Sequence, residues 1–392
     1  MHLRQETSIS DPSTSWDIFC AVIDNYGDIG VCWRLARQLV AEHGLKVRLW
    51  SDNLSSFKKI CPEIDLDASV QFSRGVEIRL WAEGNLAVMP ADVVVEAFAC
   101  ELPQDYVAAM TNTGRKHVWI NLEYLSSESW VASHHGHASP HPRLPLTKYF
   151  FFPGFAQNTG GLIVEKDLAA RRAYFLANSK EQRDFWESLG LSSTASKDEI
   201  RISLFCYEKA PALSLFSAWS EGSYPVLCMI PEGVATRQVS DFFGRPCAGM
   251  GNLYKKGSLT VRVLPFLEQD SYDKLLWGCD FNFVRGEDSF VRAQLAGRPM
   301  VWQIYPQEGG AHWPKLEAFL DIYCSGLPLS SSSAVKVFTE AWNSGEAGVL
   351  NWENLWSHRA VLESHAIEWA NHLTKKEDLA TSLVLFCNNK LK

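Results

Sequence analysis

No apolar run in this sequence is long enough to cross a bilayer, and residues 1–15 are polar, without the apolar core of a secretory signal. These two absences lead us to expect a cytoplasmic protein that does not engage membranes. The ten cysteines, at 20, 32, 61, 100, 206, 228, 247, 279, 324 and 387, form no CxxC pair. They sit mostly inside apolar runs, so they read as scattered buried thiols and not as a zinc site or a disulfide framework. No lysine/arginine block occurs and the formal charge is −8, which leaves no electrostatic footprint for nucleic acid. Neither a GxGxxG fingerprint nor a Walker A pattern is present, which disfavours nicotinamide enzymes and nucleoside triphosphatases. No DxD triplet stands out as a metal-binding motif.

What the chain does have is length and alternation. Its 392 residues exceed one ordinary core, so two domains are expected. The first half reads strand, helix, strand, helix. The apolar run Ile18–Ile23 is followed by a glycine turn and the amphipathic stretch Val31–Val40. Further strand signals lie at Lys46–Trp50, Val76–Trp81, Ala91–Phe98 and His117–Leu122, with a helix near Ser55–Ile60. A Ser-, His- and Pro-rich stretch, Ser126–Pro145, interrupts the pattern. Its histidines 134, 135, 137 and 141 have no acidic or thiol partner at ligand spacing, so it reads as loop and not as metal site. An aromatic strand, Lys148–Phe155, and the double glycine Gly160-Gly161 follow. Ala169–Leu189 reads as one helix, and 192–199 as a polar linker.

A second alternating series then begins. Strands are expected at Ile200–Tyr207, Tyr224–Ile230, Leu259–Leu264 and Asp280–Val284, and helices at Ala212–Trp219, Ser271–Gly278 and Phe290–Ala296. Helical periodicity without strands marks the C-terminal part. The fold class is therefore α/β. It comprises two Rossmann-like lobes, 1–190 and 199–353, that face each other across a cleft, and C-terminal helices, 354–392, that return to the first lobe. Two such lobes without a dinucleotide or triphosphate motif suggest a nucleotide-sugar glycosyltransferase of the GT-B type, of the class that needs no metal. The fifteen tryptophans read mainly as core filling, with sugar stacking as the alternative.

Two strand-to-helix turns carry most of the chemistry. Arg285-Gly286-Glu287-Asp288-Ser289 places Ser289 and helix-start amides where a diphosphate is stabilised. Glu287 and Asp288 would repel a phosphate and suit sugar hydroxyls or a cationic partner. Asp24-Asn25-Tyr26-Gly27-Asp28-Ile29-Gly30 is dominated by carboxylates, so it suits a general base or a clamp for a cation. Aspartate at a helix start and glycine in such a turn are also ordinary features of α/β proteins.

The run Val22–Arg37, which contains that turn, closely resembles the opening motif of the elongation factor P arginine rhamnosyltransferases, the EarP family. So does Arg285–Gly297. Smaller resemblances, in the family's order, are Glu96–Cys100, Asn121–Ser126, Gly160–Ile163 and Ile304–Gln307. The resemblance implies an inverting enzyme that transfers L-rhamnose from dTDP-β-L-rhamnose, as co-substrate with no further cofactor, to an arginine nitrogen of translation elongation factor P. That modification activates the factor for rescue of ribosomes stalled at polyproline. It further implies that the first lobe holds the acceptor and the second the donor. Carried residue by residue, it gives Asp28 as general base, Asp24 as its essential neighbour and Glu287 as the essential acid beside the donor diphosphate. Phe266 and Gln269 resemble the pair that receives the thymine base. Tyr207 and Phe205 match positions lining the donor, and Asp288 and Ser289 match its diphosphate side. Asn25, Glu123 and Tyr124 are assigned to the acceptor side. The sequence departs from the family pattern at Tyr26, where phenylalanine is common, at Cys206, where glycine can stand, and at Glu268, where proline can stand.

The chemistry suits these residues. A guanidinium has a pKa above about 12 and delocalised lone pairs, so its nitrogen attacks only if the cation is bound and a proton removed. Asp24 can hydrogen-bond one nitrogen while Asp28 accepts the proton from another. Arg285 and Arg292 are further candidates for the leaving diphosphate. Two rival readings are a GT-B transferase with another acceptor and a catalytically inactive nucleotide-sugar-binding partner protein.

Overall fold

The computed structural model describes residues 14–24, 26–81, 88–191, 198–246, 249, 251–345 and 350–392. The strands, in chain order, are β1 (Ser15–Cys20), β2 (Lys46–Ser51), β3 (Val70–Ser73), β4 (Val76–Leu80), β5 (Val93–Ala97), β6 (Val118–Leu122), β7 (Ala138–Pro140) and β8 (Thr147–Phe151). The second series is β9 (Ile200–Leu204), β10 (Val226–Pro231), β11 (Leu253–Lys256), β12 (Leu259–Leu264), β13 (Phe281–Arg285) and β14 (Met300–Gln303). They form two sheets, ordered β3-β4-β2-β1-β5-β6-β8-β7 and β11-β12-β10-β9-β13-β14. Pairing is parallel throughout except at β3, β7 and β11, which pair antiparallel to an inner neighbour. This is an α/β fold of two Rossmann-like units of the GT-B type.

One unit comprises the described residues up to Lys166 together with Lys376–Lys392, and the other is Asp167–Lys375. The expected boundaries at 190 and 354 therefore differ from those observed. The segment read as one helix, Ala169–Leu189, is two helices, Leu168–Ala177 and Ser179–Ser188. Asn178, in extended backbone, breaks the run and caps the second helix through its side chain on the Lys180 and Glu181 amides. Both helices belong to the second unit, where Phe175 packs on Trp277 and Lys274 pairs with Glu181 at 2.6 Å. The helix Arg359–Leu373 also stays there, with the Trp369 indole donating to Gln294. Of the expected linker, 192–197 lies outside the described residues.

Only the last helix, Leu379–Leu391, returns to the first unit. Asp378 caps it by accepting from the Thr381 amide, and also receives Gln38 Nε2 at 3.0 Å. Phe386 then packs on Tyr149 and Phe151. The double glycine has a physical reason here. Gly161 has φ +77°, and a side chain on it would run into the Glu377 carbonyl, while one on Gly160 would strike the Phe151 ring. These glycines let the returning chain lie against the sheet.

In the first sheet the fully buried Asp17 of β1 gathers donors that tie β1 to its surroundings. Arg48 binds it with two nitrogens at 2.6 and 2.5 Å, the Trp50 indole donates at 2.9 Å and the Ala91 amide at 3.1 Å, and the Tyr106 hydroxyl also donates. Removing the carboxylate strands a largely buried guanidinium. We expect Asp17→Ala to cost about 3–5 kcal/mol of unfolding free energy, measured by urea titration of the full chain.

Burial also sets a pH dependence. Desolvation lowers the pKa of His43, His135 and His365 from the ordinary 6.5, so each imidazole is held neutral in the fold. Their folded values lie below the unfolded one. The stability they permit is therefore present above pH 6.5 and is lost as pH falls through that value toward the folded pKa values. The melting temperature is expected to fall between pH 7 and pH 5, with a shallower slope for His135→Asn.

Candidate functional site

In an open parallel sheet, ligands gather at the carboxyl ends of strands where the winding reverses. In the first sheet that point lies between β1, which also pairs with β2, and β5. The connection leaving β1 is the Asp24–Gly30 turn. Its helix is longer at the start than the sequence suggested: it spans Gly27–His43, so Asp28 stands in the first helical turn and not in the loop. There the helix dipole favours its carboxylate.

Asp28 is 2% exposed. Its Oδ2 accepts the Ile23 and Asp24 amides, both at 2.8 Å, and its Oδ1 accepts the Tyr124 hydroxyl at 3.1 Å. The side chain thus folds the preceding loop onto the helix start and is held by three donors. Asp24 is half-buried, and its carbonyl accepts the Gly27 amide at 2.6 Å. A Cβ on Gly27 would lie 2.8 Å from Asp24 Oδ2, so glycine is required there for the carboxylate to pass. Tyr124 leaves β6 and stacks on Phe98 of the β5 connection, with ring centroids 4.3 Å apart and 15° between planes. Glu123 instead accepts Asn121 Nδ2 at 2.5 Å. Asn25 lies outside the described residues.

The second sheet repeats the arrangement. The winding reverses between β9 and β13, and their carboxyl ends carry the remaining sequence candidates. Gly286, at φ +65°, turns the chain out of β13, Glu287 precedes the helix Asp288–Leu295, and the Ser289 hydroxyl donates back to the Arg285 carbonyl. The helix's opening amides lack helical acceptors, which makes this end suited to an anion. Gln269 opens the helix Gln269–Gly278, and its Nε2 donates to Asp288 Oδ2 at 3.1 Å.

After β9, the Phe205 and Tyr207 rings lie under the Arg285 guanidinium at 4.4 and 4.5 Å, a cation–π pair that fixes the arginine at the turn. Phe266 lies 6.5 Å from Phe205, edge to face. The structure therefore brings Phe205, Tyr207, Phe266, Gln269, Asp288, Ser289 and Glu287 to one sheet edge. Arg292 is different: it is buried in an ion pair with Asp273, at 2.6 Å, with both side chains 1% exposed. It serves the core and is withdrawn as a diphosphate contact.

Two further residues at this edge escaped the sequence reading. Gln303 accepts the Tyr207 amide at 2.8 Å, and Tyr305 packs edge-on against Tyr207 at 5.6 Å. Tyr305 lies in the short motif Ile304–Gln307, whose role the sequence left unassigned, and Gln303 immediately precedes it. Burial pushes the Cys206 thiol up to about 12, against the pull of Arg285, so it stays protonated and is no nucleophile at this edge.

The histidine-rich stretch is structural where its bonds are seen. His135 Nδ1 accepts the Phe152 amide, and His141 Nδ1 accepts those of Arg143 and Leu144. Among the described residues no group of three or more His, Cys, Asp or Glu side chains is placed to hold a metal ion, and no helix is long and apolar enough to cross a membrane.

Comparison with known proteins gives a consistent result. Residues 16–388 match the family model described as elongation factor P (EF-P) rhamnosyltransferase EarP. A protein-arginine rhamnosyltransferase of Pseudomonas putida is 47% identical over 377 residues, covering 96% of this chain and 99% of the relative. The protein of the same name from Neisseria meningitidis serogroup B is 32% identical, over 97% of this chain and 98% of that one. A solved structure described as the structural basis for EarP-mediated arginine glycosylation of translation elongation factor EF-P superimposes with a TM-score of 0.68 at 35% identity, covering 96% of this chain and 99% of its own. The chain belongs to the EarP family of protein-arginine rhamnosyltransferases.

Proposed function

We propose that this rhamnosyltransferase moves L-rhamnose, with inversion and without a metal, from dTDP-β-L-rhamnose to a side-chain nitrogen of one arginine on translation elongation factor P. The observation that carries the reading is the pair of chemically opposite sheet edges. One presents Asp24 and Asp28, suited to a cation. The other presents Arg285, aromatic faces and helix-start amides, suited to a nucleotide diphosphate.

On the acceptor side, Asp24 binds the guanidinium and holds its charge on one face. Asp28 Oδ1 takes the proton from the attacking nitrogen as the C–N bond forms. The bond between the sugar's anomeric carbon and the β-phosphate oxygen breaks in the same step, and its electron pair leaves with the diphosphate. On the donor side, Phe266 and Gln269 receive the thymine. Phe205 and Tyr207 line the donor, partly by holding Arg285. Ser289 and the opening amides of its helix meet the diphosphate, and Asp288 orients Gln269. Glu287 supplies a carboxylate for a sugar hydroxyl or the acceptor cation. The acceptor of the solved relative is elongation factor EF-P, in line with this assignment.

The test is product analysis. After reaction with elongation factor P and dTDP-β-L-rhamnose in the presence of a chelator, fragmentation should place one deoxyhexose on an arginine, and NMR should show the α-anomer. Rhamnose on another residue type, or a β-linked product, contradicts the mechanism.

A further inference from the structure

The connection that leaves β5 is built against backbone preference. Phe98, Ala99 and Glu101 have φ of 57°, 53° and 53°, in the left-handed region that bulky residues avoid. Such a conformation persists only where its surroundings over-determine it. Here they do. The Phe98 amide donates to the Leu122 carbonyl at 2.7 Å, the Cys100 amide to the Ala97 carbonyl at 3.2 Å, and the Cys100 thiol to the Phe19 carbonyl at 3.4 Å.

The Glu101 amide reaches Glu96 Oε1 at 3.2 Å. Glu96 is itself 1% exposed and is fixed from its other oxygen by the Trp119 indole at 2.9 Å and the Lys148 ammonium at 2.8 Å. A buried carboxylate with three protein contacts thus ties the far end of the four-residue loop, at Glu101, back to β5.

The result is the placement of one ring. Phe98 is 6% exposed and lies parallel to Tyr124, whose hydroxyl donates to Asp28 Oδ1. Simple core filling does not call for left-handed backbone at a phenylalanine, since the same volume is available from relaxed strand positions. We infer that Phe98 is a positioning residue: its strained loop holds the ring that fixes the Tyr124 phenol, and through it the carboxylate of Asp28. This inference rests on the assignment of Asp28 as the base.

The experiment is steady-state kinetics of the full chain with elongation factor P and dTDP-β-L-rhamnose. Phe98→Leu is expected to lower kcat about tenfold with an unchanged KM for the nucleotide sugar, because ground-state donor binding does not pass through Asp28. Phe98→Tyr keeps the stacked ring and should restore most of the rate. Tyr124→Phe, which deletes only the hydroxyl, should lower kcat at least as far.

The double variant Phe98→Leu/Tyr124→Phe should be no slower than Tyr124→Phe alone, since both act through one contact. If Phe98→Leu does not fold, as read from its melting curve, Phe98→Met gives the same comparison. Undiminished kcat in a folded Phe98→Leu or Phe98→Met protein, or losses that multiply in the double variant, overturns the inference. Turnover that survives Asp28→Asn, while the two ring variants still lose rate non-additively, instead contradicts the base assignment and leaves the coupling between the rings standing.

Discussion

An Asp28→Asn protein is expected to lose about 10³-fold in kcat while binding dTDP with unchanged affinity. Hydrogen bonds from the Ile23 and Asp24 amides and the Tyr124 hydroxyl hold the Asp28 carboxylate. Asparagine keeps the shape and one carbonyl oxygen, which can still accept the Ile23 and Asp24 amides that shape the loop. Its amide nitrogen can neither accept the Tyr124 hydroxyl nor take up a proton. The substitution thus separates holding the turn from removing the proton, and a folded but inactive protein is the expected outcome. Calorimetric titration with dTDP reports the donor side, since Phe266, Gln269 and Arg285 all belong to the other unit. Near-normal turnover would falsify the assignment of Asp28 as the base.

Glu287→Gln is the second large effect, expected at about 10²-fold in kcat, with KM for the nucleotide sugar changed only a few-fold. Glu287 stands between Gly286, which turns out of β13, and the first helical residue, so the backbone there is set by the glycine and not by the carboxylate. Removing its charge leaves the helix start and the Arg285 cation–π pair in place. Asp288→Asn should cost much less, because the Asp288 carboxylate is already engaged by Gln269. Steady-state kinetics of the two variants side by side check the ranking. An Asp288 effect larger than that of Glu287 would exchange their roles.

How legible each of the two turns was in the sequence differs for a physical reason. The Arg285–Ser289 turn was readable because its parts are local. A buried strand, a glycine at positive φ and a helix follow one another between Phe281 and Leu295, and each has a sequence signal. The Asp24–Gly30 turn was readable in composition but not in geometry. Asp28 sits in the helix because its side chain collects the loop amides, and no periodicity shows that bond.

Tyr124 and Phe98 are more than twenty residues apart and come together only through the β5–β6 pairing, so their contact could not be read from spacing. The unit boundaries were missed in the same way. The helices Leu168–Ala177 and Ser179–Ser188 follow the first alternating series in sequence, yet their apolar residues meet partners more than ninety positions later, in Trp277 and its helix. The run of helical signal across Asn178 hid the break, because asparagine is tolerated in a helix but is better used as a cap. The alternation of strands, by contrast, reflects local burial, and it placed most of the parallel strands close to where they lie.

The proposed reaction is transfer of a single rhamnose to an arginine of elongation factor P through Asp28. Intact mass spectrometry of the factor, after incubation with the protein and dTDP-β-L-rhamnose, tests it most directly. A shift by one deoxyhexose residue is expected with the native protein, none with Asp28→Asn, and none when the target arginine is replaced by lysine. An unshifted factor with the folded native protein, or an equal shift with Asp28→Asn, contradicts the account.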